Sequence, residues 1–406
     1  MKHTGVSILE MNITYKTLSV LTLLGASCIS AAADNYNTTL DKIINNNPGL
    51  VASFAALDAE KAENLTGLNL ANPEVGLSYQ WGVPSDVPDK KTIDVSQEFD
   101  FATLSGAKKR LAKVKNKGAE AAFRQSLRAV AAEADALMTD IVYQRRLAQH
   151  YDSAINLMNR TLSAGKTALE QGQITIVDFN SIRMDLNALE TDRQLNKIDY
   201  ENNLSSLAAL GGSTNINWTS SDYADYNLPA DFSQWLEENR VKSDGVIQAR
   251  AEQNVAEGEI SLRKSENLPT FTLGYTSELV KDANYHGVTL GIGLPLWANA
   301  GRVKAARAAA NAAQIAGEKA ALDFELKQRA LYDKALVTGR MLDNTRTMAR
   351  DCDIHRELDK LYSSGQISAH EYMAQLVSLL ELNKKVIESE YAWQKALADF
   401  RAATIR

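Results

Sequence analysis

The sequence predicts a mainly α-helical protein with a small β part, in which long helical hairpins are interrupted by four short strands. Three observations lead there. Apolar residues recur at three and four spacing through long segments rich in Ala, Leu, Glu and Lys. The stretch Ala71–Trp81 instead alternates, with Val75, Leu77, Tyr79 and Trp81 on one side and Glu74, Gly76, Ser78 and Gln80 on the other, which is the period of a strand. Finally, the whole arrangement is written twice.

The bulk properties fit long helices better than an all-β protein: 406 residues, 45% hydrophobic and 23% charged, with only seven prolines. A formal charge of −6 offers nothing to draw the chain to nucleic acid. The first 33 residues read as an export signal. Lys16 precedes the apolar run Leu18–Ala26, and small residues Ala31, Ala32 and Ala33 stand before Asp34. Met11 is an alternative start, because a complete signal follows it. Without residues 1–33, which hold Lys2, Lys16 and Glu10, 42 basic residues face 49 acidic ones and the formal charge is −7. Cys28, at the end of the apolar run, is a possible lipidation site, although Gly25 stands where such sites usually carry Leu. If it is removed with the signal, Cys352 is the one cysteine left and an internal disulfide is excluded. After the signal, no apolar run approaches the ~20 residues that a spanning helix needs, so any membrane crossing must use strands.

The repeat organises the remainder, residues 34–406. Asn72–Tyr79 returns 196 residues later as Leu268–Tyr275, with Pro73 on Pro269, Leu77 on Leu273 and Tyr79 on Tyr275. Each copy precedes a second alternating run: Ile93, Val95, Phe99 and Phe101 in one half, and Val288, Leu290, Ile292, Leu294 and Leu296 in the other. The polar stretches Gly82–Lys90 and Lys281–His286 read as turns, giving two hairpins. After Gly106 and Gly301 each half enters a helical segment of about sixty residues, roughly 90 Å at ~1.5 Å per residue. A third matched pair, Gly172–Phe179 and Gly365–Tyr372, marks the helical tips. In each, a glycine ends one helix and a capping box opens the next, Thr175 with Asp178 and Ser368 with Glu371. Returning helices are expected near 175–211 and 368–404. The two repeats thus cover about 40–211 and 242–404 of a single elongated unit, joined by a segment at 212–241 whose aromatic part, Ser220–Arg240, is expected to be a small helical insertion.

Four strands cannot close a barrel, and an open sheet edge cannot face hydrocarbon. The runs have the ~9–11 residues that cross a bilayer as tilted strand, with one apolar and one polar face. Two arrangements answer this: several copies uniting their strands around an aqueous lumen, or a soluble protein whose two hairpins form one half-buried sheet. Helices of ~90 Å favour the first, because their apolar stripes need neighbours along the whole length, and the Ala-dense segment Ala305–Ala321 favours close helix approach.

The duplicated plan, the proline before the first strand of each half, Gly301-Arg302 after a hairpin, and the tip pattern Tyr362, Gly365, Ser368, Glu371 resemble the TolC-type outer-membrane efflux family over roughly residues 40–404. The resemblance implies a homotrimer, four strands from each chain forming one twelve-stranded barrel in outer-membrane lipid, continued by a periplasmic α-helical barrel. It implies a passive exit duct of a tripartite system, with an inner-membrane efflux pump and a periplasmic membrane-fusion adaptor docking on the tips. It implies no catalysis, no cofactor and no resident metal. Drugs, heavy-metal cations and secreted polypeptides remain open as cargo, with compact length and sparse insertions leaning toward drug or metal-cation systems. A soluble periplasmic scaffold or adaptor, or the duct of a type I protein-secretion system, is the alternative.

By the same resemblance, Asp178, Tyr362 and Glu371 stand at positions that close or line the periplasmic entrance, and Gly172, Gln173, Gly365 and Gln366 form the tips that an adaptor grips. Where well-known members of the family carry a basic residue, this chain has Ile367. Read from the residues alone, Asp178 and Glu371 are helix caps, and the two roles are compatible. Trp81, Tyr79 and Tyr275 suit either an interfacial aromatic girdle or a soluble core. Cys352 and His355 form a C-x-x-H pair inside an expected helix, where packing is the ordinary role; His150, His286 and His370 are scattered. Gly291–Pro295 lies in a strand context with no phosphate cradle, and no nucleophile or metalloprotease motif is present.

Overall fold

The structure, a computed structural model, describes residues 36–212, 218 and 220–405. The export signal and Cys28 lie outside the described residues. In chain order the elements are α1 (Tyr36–Asn46), α2 (Pro48–Glu63), β1 (Glu74–Gln80), β2 (Lys90–Phe99), α3 (Phe101–Leu104), α4 (Ala107–Glu170) and α5 (Ile176–Leu210), then α6 (Phe232–Arg240), α7 (Asp244–Glu266), β3 (Thr270–Val280), β4 (Ala283–Gly293), α8 (Arg302–Asp351), α9 (His355–Ser363) and α10 (Ala369–Arg401). The order of elements therefore repeats: a helical pair, two strands, a long helix, a tip and a returning helix.

The chain forms two compact units. The first takes its residues from the chain up to Ala52, from Ser126–Glu237 and from Leu326 onward; the second comprises Ser53–Gln125 and Glu238–Glu325. In the first, Leu40, Ile43 and Ile44 of α1 meet Ala131, Ala134, Met138, Ile141 and Val142 of α4, with Leu207 of α5 and Trp218 completing the core. Asn47 starts α2, its carboxamide oxygen accepting from Leu50 N at 2.7 Å with Pro48 in the first helical position. A buried ion pair crosses this core: Arg401 Nε and Nη2 donate to Asp135 at 2.7 and 2.5 Å, and the Tyr36 hydroxyl donates to the same carboxylate. A separate cluster at the tip end joins Ala154 and Met158 of α4, Ile182 and Leu186 of α5, Leu358 of α9, and Met373, Leu376, Leu379 and Leu380 of α10.

The second unit holds the sheet, four antiparallel strands in the order β1-β2-β3-β4. The two expected hairpins are thus one sheet, because β2 pairs with β3 from Lys90↔Val280 to Phe99↔Phe271. The β3–β4 turn is shorter than the expected Lys281–His286 stretch. Ala283 already pairs with Val280, leaving Lys281 and Asp282 as the turn, with Asp282 at φ 76°, a left-handed conformation that Asp tolerates. Strand β4 ends at Gly293, so Leu294 and Leu296 lie beyond it, as Trp81 lies beyond β1.

Two helical expectations are corrected. The second long helix is not continuous: α8 ends at Asp351 and α9 begins at His355, so Cys352 sits in a break and is exposed. Cys352 N still reaches Met348 O at 2.9 Å, but Ile354 N turns back to Cys352 O at 2.9 Å, which ends the helical ladder. In the linking segment, α6 is the helix, and residues 220–230 carry no regular structure. The carbonyls of Ser220 and Ser221 are instead taken by Arg145 and Arg146.

Candidate functional site

Two features invite a functional reading: the faces of the sheet and the two helical tips. The register sorts the sheet into unlike faces. One carries Glu74, Gly76, Ser78 and Gln80 opposite Lys90, Thr92, Asp94 and Ser96, continuing through Thr272, Gly274, Thr276 and Glu278 to Tyr285, Gly287, Thr289 and Gly291. It is polar and holds its own bonds: Lys90 pairs with Glu278 at 2.6 Å, and Thr276 Oγ1 donates to Asp94 at 2.7 Å. The other face carries Val75, Leu77, Tyr79, Ile93, Val95, Phe99, Phe271, Leu273, Tyr275, Val288, Leu290 and Ile292.

Among the described residues this second face is covered only near its Phe271 end, where the Phe101 ring lies 6.0 Å from that of Phe271. Leu77 is 76% exposed and Leu290 79% exposed, values for side chains in water rather than in a core. Toward the turn end the face becomes mixed, where the Tyr275 hydroxyl and His286 Nδ1 lie 2.7 Å apart and Lys91 Nζ sits 5.8 Å above the Tyr79 ring. Among the described residues, strands β1 and β4 each pair on one side only, leaving both outer edges open. Among the described residues no helix is long and apolar enough to cross a membrane.

The tips are built twice from the same geometry. Gly172 and Gly365 adopt φ of 72° and 71° with open space around them. Each helix ends in paired bonds from the glycine and its successor, Gly172 N to Leu169 O (3.0 Å) with Gln173 N to Ala168 O (2.8 Å), and Gly365 N to Tyr362 O (3.0 Å) with Gln366 N to Leu361 O (2.9 Å). Both expected capping boxes form. Asp178 Oδ2 accepts from Thr175 N and Oγ1 at 2.9 and 2.7 Å, and Glu371 Oε2 accepts from Ser368 N and Oγ at 2.8 and 2.9 Å. These bonds hold both carboxyls below their ordinary range, Asp178 chiefly through the Thr175 hydroxyl and Glu371 chiefly through the Ser368 amide, with His370 adding a smaller pull on each.

Tyr362 and Asp178 are each placed beside a different partner. The Tyr362 ring stacks on Tyr372 at 4.7 Å between centroids, and the Tyr372 hydroxyl donates to Asp359 Oδ1 at 2.9 Å. Burial, then Asp359, push the Tyr372 phenol up to about 12. Asp178 Oδ1 instead lies 4.0 Å from His370 Nδ1. Sequence reasoning left His370 among scattered histidines. Superposing the two tip motifs gives the signal that finds it: Thr175 falls on Ser368 and Asp178 on Glu371, so Val177 falls on His370, a titratable group in one copy of an otherwise matching box. Ile367, in place of a basic residue, packs against the apolar cluster below the tips. Among the described residues no group of three or more His, Cys, Asp or Glu could hold a metal ion.

No family model matches the sequence, and no curated protein matches it. Solved structures do match, at low identity. A membrane protein from Pseudomonas aeruginosa superposes with a TM-score of 0.75 at 16% identity, over 90% of this chain and 92% of that one. The open state of the Neisseria gonorrhoeae outer-membrane channel MtrE gives 0.73 at 14% identity, covering 90% and 87%. The Campylobacter jejuni outer-membrane channel CmeC gives 0.72 at 14%, covering 97% and 93%. The chain has the fold of the TolC-type outer-membrane channels.

Proposed function

We infer that the protein is the outer-membrane exit duct of a tripartite efflux system, a passive channel with no catalytic step. The observation that carries this reading is the four-stranded sheet, with two outer edges unpaired among the described residues, one largely exposed apolar face and one polar face. Such a sheet is unstable in water and in lipid alone; joining copies edge to edge pairs the edges, turns the apolar face to hydrocarbon and encloses the polar face as a lumen. Strands β3 and β4 have 11 residues each. At ~3.4 Å per residue and a tilt near 45° they rise about 26 Å, the height of an outer-membrane apolar band. A homotrimer with twelve strands is the proposed assembly, and the matched channel folds support it. Residues 1–33 would direct export, and the helical hairpins would reach into the periplasm.

At the tips, Gly172, Gln173, Gly365 and Gln366 are proposed to meet the periplasmic adaptor, and Asp178, Tyr362 and Glu371 to line the entrance. All four adaptor-facing residues are exposed, and the two glycines present backbone without side chain. The proposed cargo is a drug or a heavy-metal cation handed over by an inner-membrane pump. Growth of a deletion strain against a panel of both classes tests the cargo.

Fractionation tests the duct itself. The protein is expected to stay with outer membranes through salt and alkaline washes and to give stepwise conductance in planar bilayers. Recovery wholly in the soluble periplasmic fraction would replace the duct with a periplasmic scaffold.

A further inference from the structure

We propose that the helix end of the sheet carries a cationic belt that binds the headgroups of anionic phospholipid, built from Lys109, Arg110 and Lys113 of α4 and Lys304 and Arg307 of α8. The membrane in which it acts is that of the duct reading, on which the inference rests, but the belt itself is a property of one chain. All four strands meet the helices at one end, where Glu74, Phe99, Thr270 and Gly293 lie. Helix α4 opens eight residues after Phe99, and α8 nine residues after Gly293. Both connections show apolar side chains to solvent, Leu104 in the first and Leu294, Leu296 and Trp297 in the second, with Trp297 76% exposed. Tryptophan is the residue that seats at the boundary between hydrocarbon and headgroups.

Beyond those side chains the charge is of one sign. From Phe101 to Ala119 the chain has six bases and no acid, and from Arg302 to Gly317 three bases and no acid. Helices α5, α7 and α10 open with an acid in the first turn, as the positive end of a helix favours, whereas α4 and α8 have none there. Cations at that end work against the helix that carries them, so helix stability does not account for their position. The nearby acids are already engaged: Asp100 by Lys108, Glu259 by Lys115 and Arg263, Glu266 by Arg263 and Arg302, and Glu257 by the Gln253 carboxamide. The five belt residues are exposed and have no carboxylate within ion-pair distance among the described residues. Arg110 donates to Ser105 O at 2.7 Å, which holds its guanidinium toward the sheet. At the opposite end of the sheet the sign changes, since residues 82–89 hold two aspartates and no base.

The two groups of cations share a side. Gly118 and Leu111 turn α4 toward Ala251 and Gly258 of α7, and Gly317 turns α8 toward Gln253 of the same helix. At ~100° per residue, on two helices that both run away from the sheet, Arg110 and Lys113 of α4 emerge on the same side of α7 as Lys304 and Arg307 of α8. Lys113 lies six residues into α4, ~9 Å along it, and a headgroup layer is ~5–8 Å deep. The long stems of lysine and arginine therefore keep their charges at the level of lipid phosphates. A lipid surface fits better than a soluble anion, because the cations are spread over two helices and adjoin exposed apolar side chains.

Anisotropy of tail-labelled lipid, titrated with the intact protein in mild detergent, reads the belt directly. Phosphatidylglycerol is expected to bind more tightly than phosphatidylcholine, and to lose that preference at about 1 M salt, where the screening length is ~3 Å. Lys109→Gln with Lys113→Gln is expected to weaken phosphatidylglycerol binding roughly 25-fold, about fivefold for each charge at a lipid surface, and to leave phosphatidylcholine unchanged. Lys319→Gln, twelve residues beyond Arg307 on α8 and at a lysine paired with Asp323, is expected to change neither. Equal binding of the two lipids by the unaltered protein, or a preference indifferent to salt, overturns the belt without recourse to any variant. Displacement of phosphatidylglycerol by inorganic phosphate overturns the lipid assignment in favour of a soluble-anion site. Planar-bilayer recordings separate the two readings: lipid preference without conductance keeps the belt and removes the duct, and conductance without lipid preference does the reverse.

Discussion

Replacing Asp135 with alanine removes the acceptor at the centre of the junction between α1, α4 and α10, and the cost follows from what is left behind. The Asp135 side chain is 1% exposed and that of Arg401 8%. Arg401 loses both charge-assisted bonds and keeps a 3.5 Å approach of Nη1 to Ala224 O and its place over the Tyr36 and Tyr226 rings, 5.7 and 6.0 Å from their centroids. Tyr36, whose phenol is pushed far above its usual range by burial and then by Asp135, loses the partner of its hydroxyl. The two bonds are worth ~1.5–3 kcal/mol each, and stranding a buried guanidinium costs ~3–5 kcal/mol in all. For a unit of this size that is about 6–20 °C in melting temperature, read by far-ultraviolet circular dichroism of the purified protein in mild detergent. Asp135→Asn retains one acceptor oxygen and is expected to fall between. The double variant Asp135→Leu with Arg401→Met leaves no unpaired charge and is expected to recover at least half of the loss. A shift of less than about 2 °C for the alanine variant, the size of an ordinary surface substitution, would refute this account, as would a double variant no more stable than the single one.

Lysine at Leu290, on the apolar face, is expected to cost ~2–4 kcal/mol in the bilayer and to abolish trimer on unheated gels, while Thr289→Lys, one residue along on the polar face, should assemble normally; equal outcomes would mean that the faces are misassigned. Thr175→Ala and Ser368→Ala each remove one capping box and should cost ~0.5–2 kcal/mol, seen as faster amide exchange confined to the first turns of α5 and α10. Replacing Tyr362 with Ala and Asp178 with Asn together should raise single-channel conductance, and an unchanged trace would mean that these residues do not hold the entrance shut.

Much of this fold is legible in the sequence because its determinants are local. The strands announce themselves by alternation, and the tips by a glycine that must take positive φ followed by Thr or Ser three residues before an acid. Both tips form as expected, and the returning helices α5 and α10 begin within one residue of the expected positions. Pairing of β2 with β3 was not legible, because those strands are separated by well over a hundred residues and alternation fixes a strand's faces without naming its neighbour. The same limit hid the Asp178–His370 approach, which joins residues from different hairpins, and the Asp135–Arg401 pair, whose members are 266 positions apart.

The break between α8 and α9 was illegible for a different reason, and it bears on how the second tip holds its shape. Asp351-Cys352-Asp353-Ile354 contains neither glycine nor proline, the residues that announce a helix end. What it has is two aspartates whose side chains favour local bonds over the helical ladder, and a β-branched residue that follows them. Each preference is worth well under 1 kcal/mol, too little to read from sequence yet enough where no packing opposes it. The consequence falls on α9, since a helix of nine residues is below the ~12–15 that persist alone in water. Its order must come from tertiary contact, through Leu358, 3% exposed against the apolar cluster of α10 and α5. The first tip follows directly on a 64-residue helix, whereas the second follows the short α9, held by Leu358, by Ile367 packed on the same cluster and by the stacked Tyr362–Tyr372 pair.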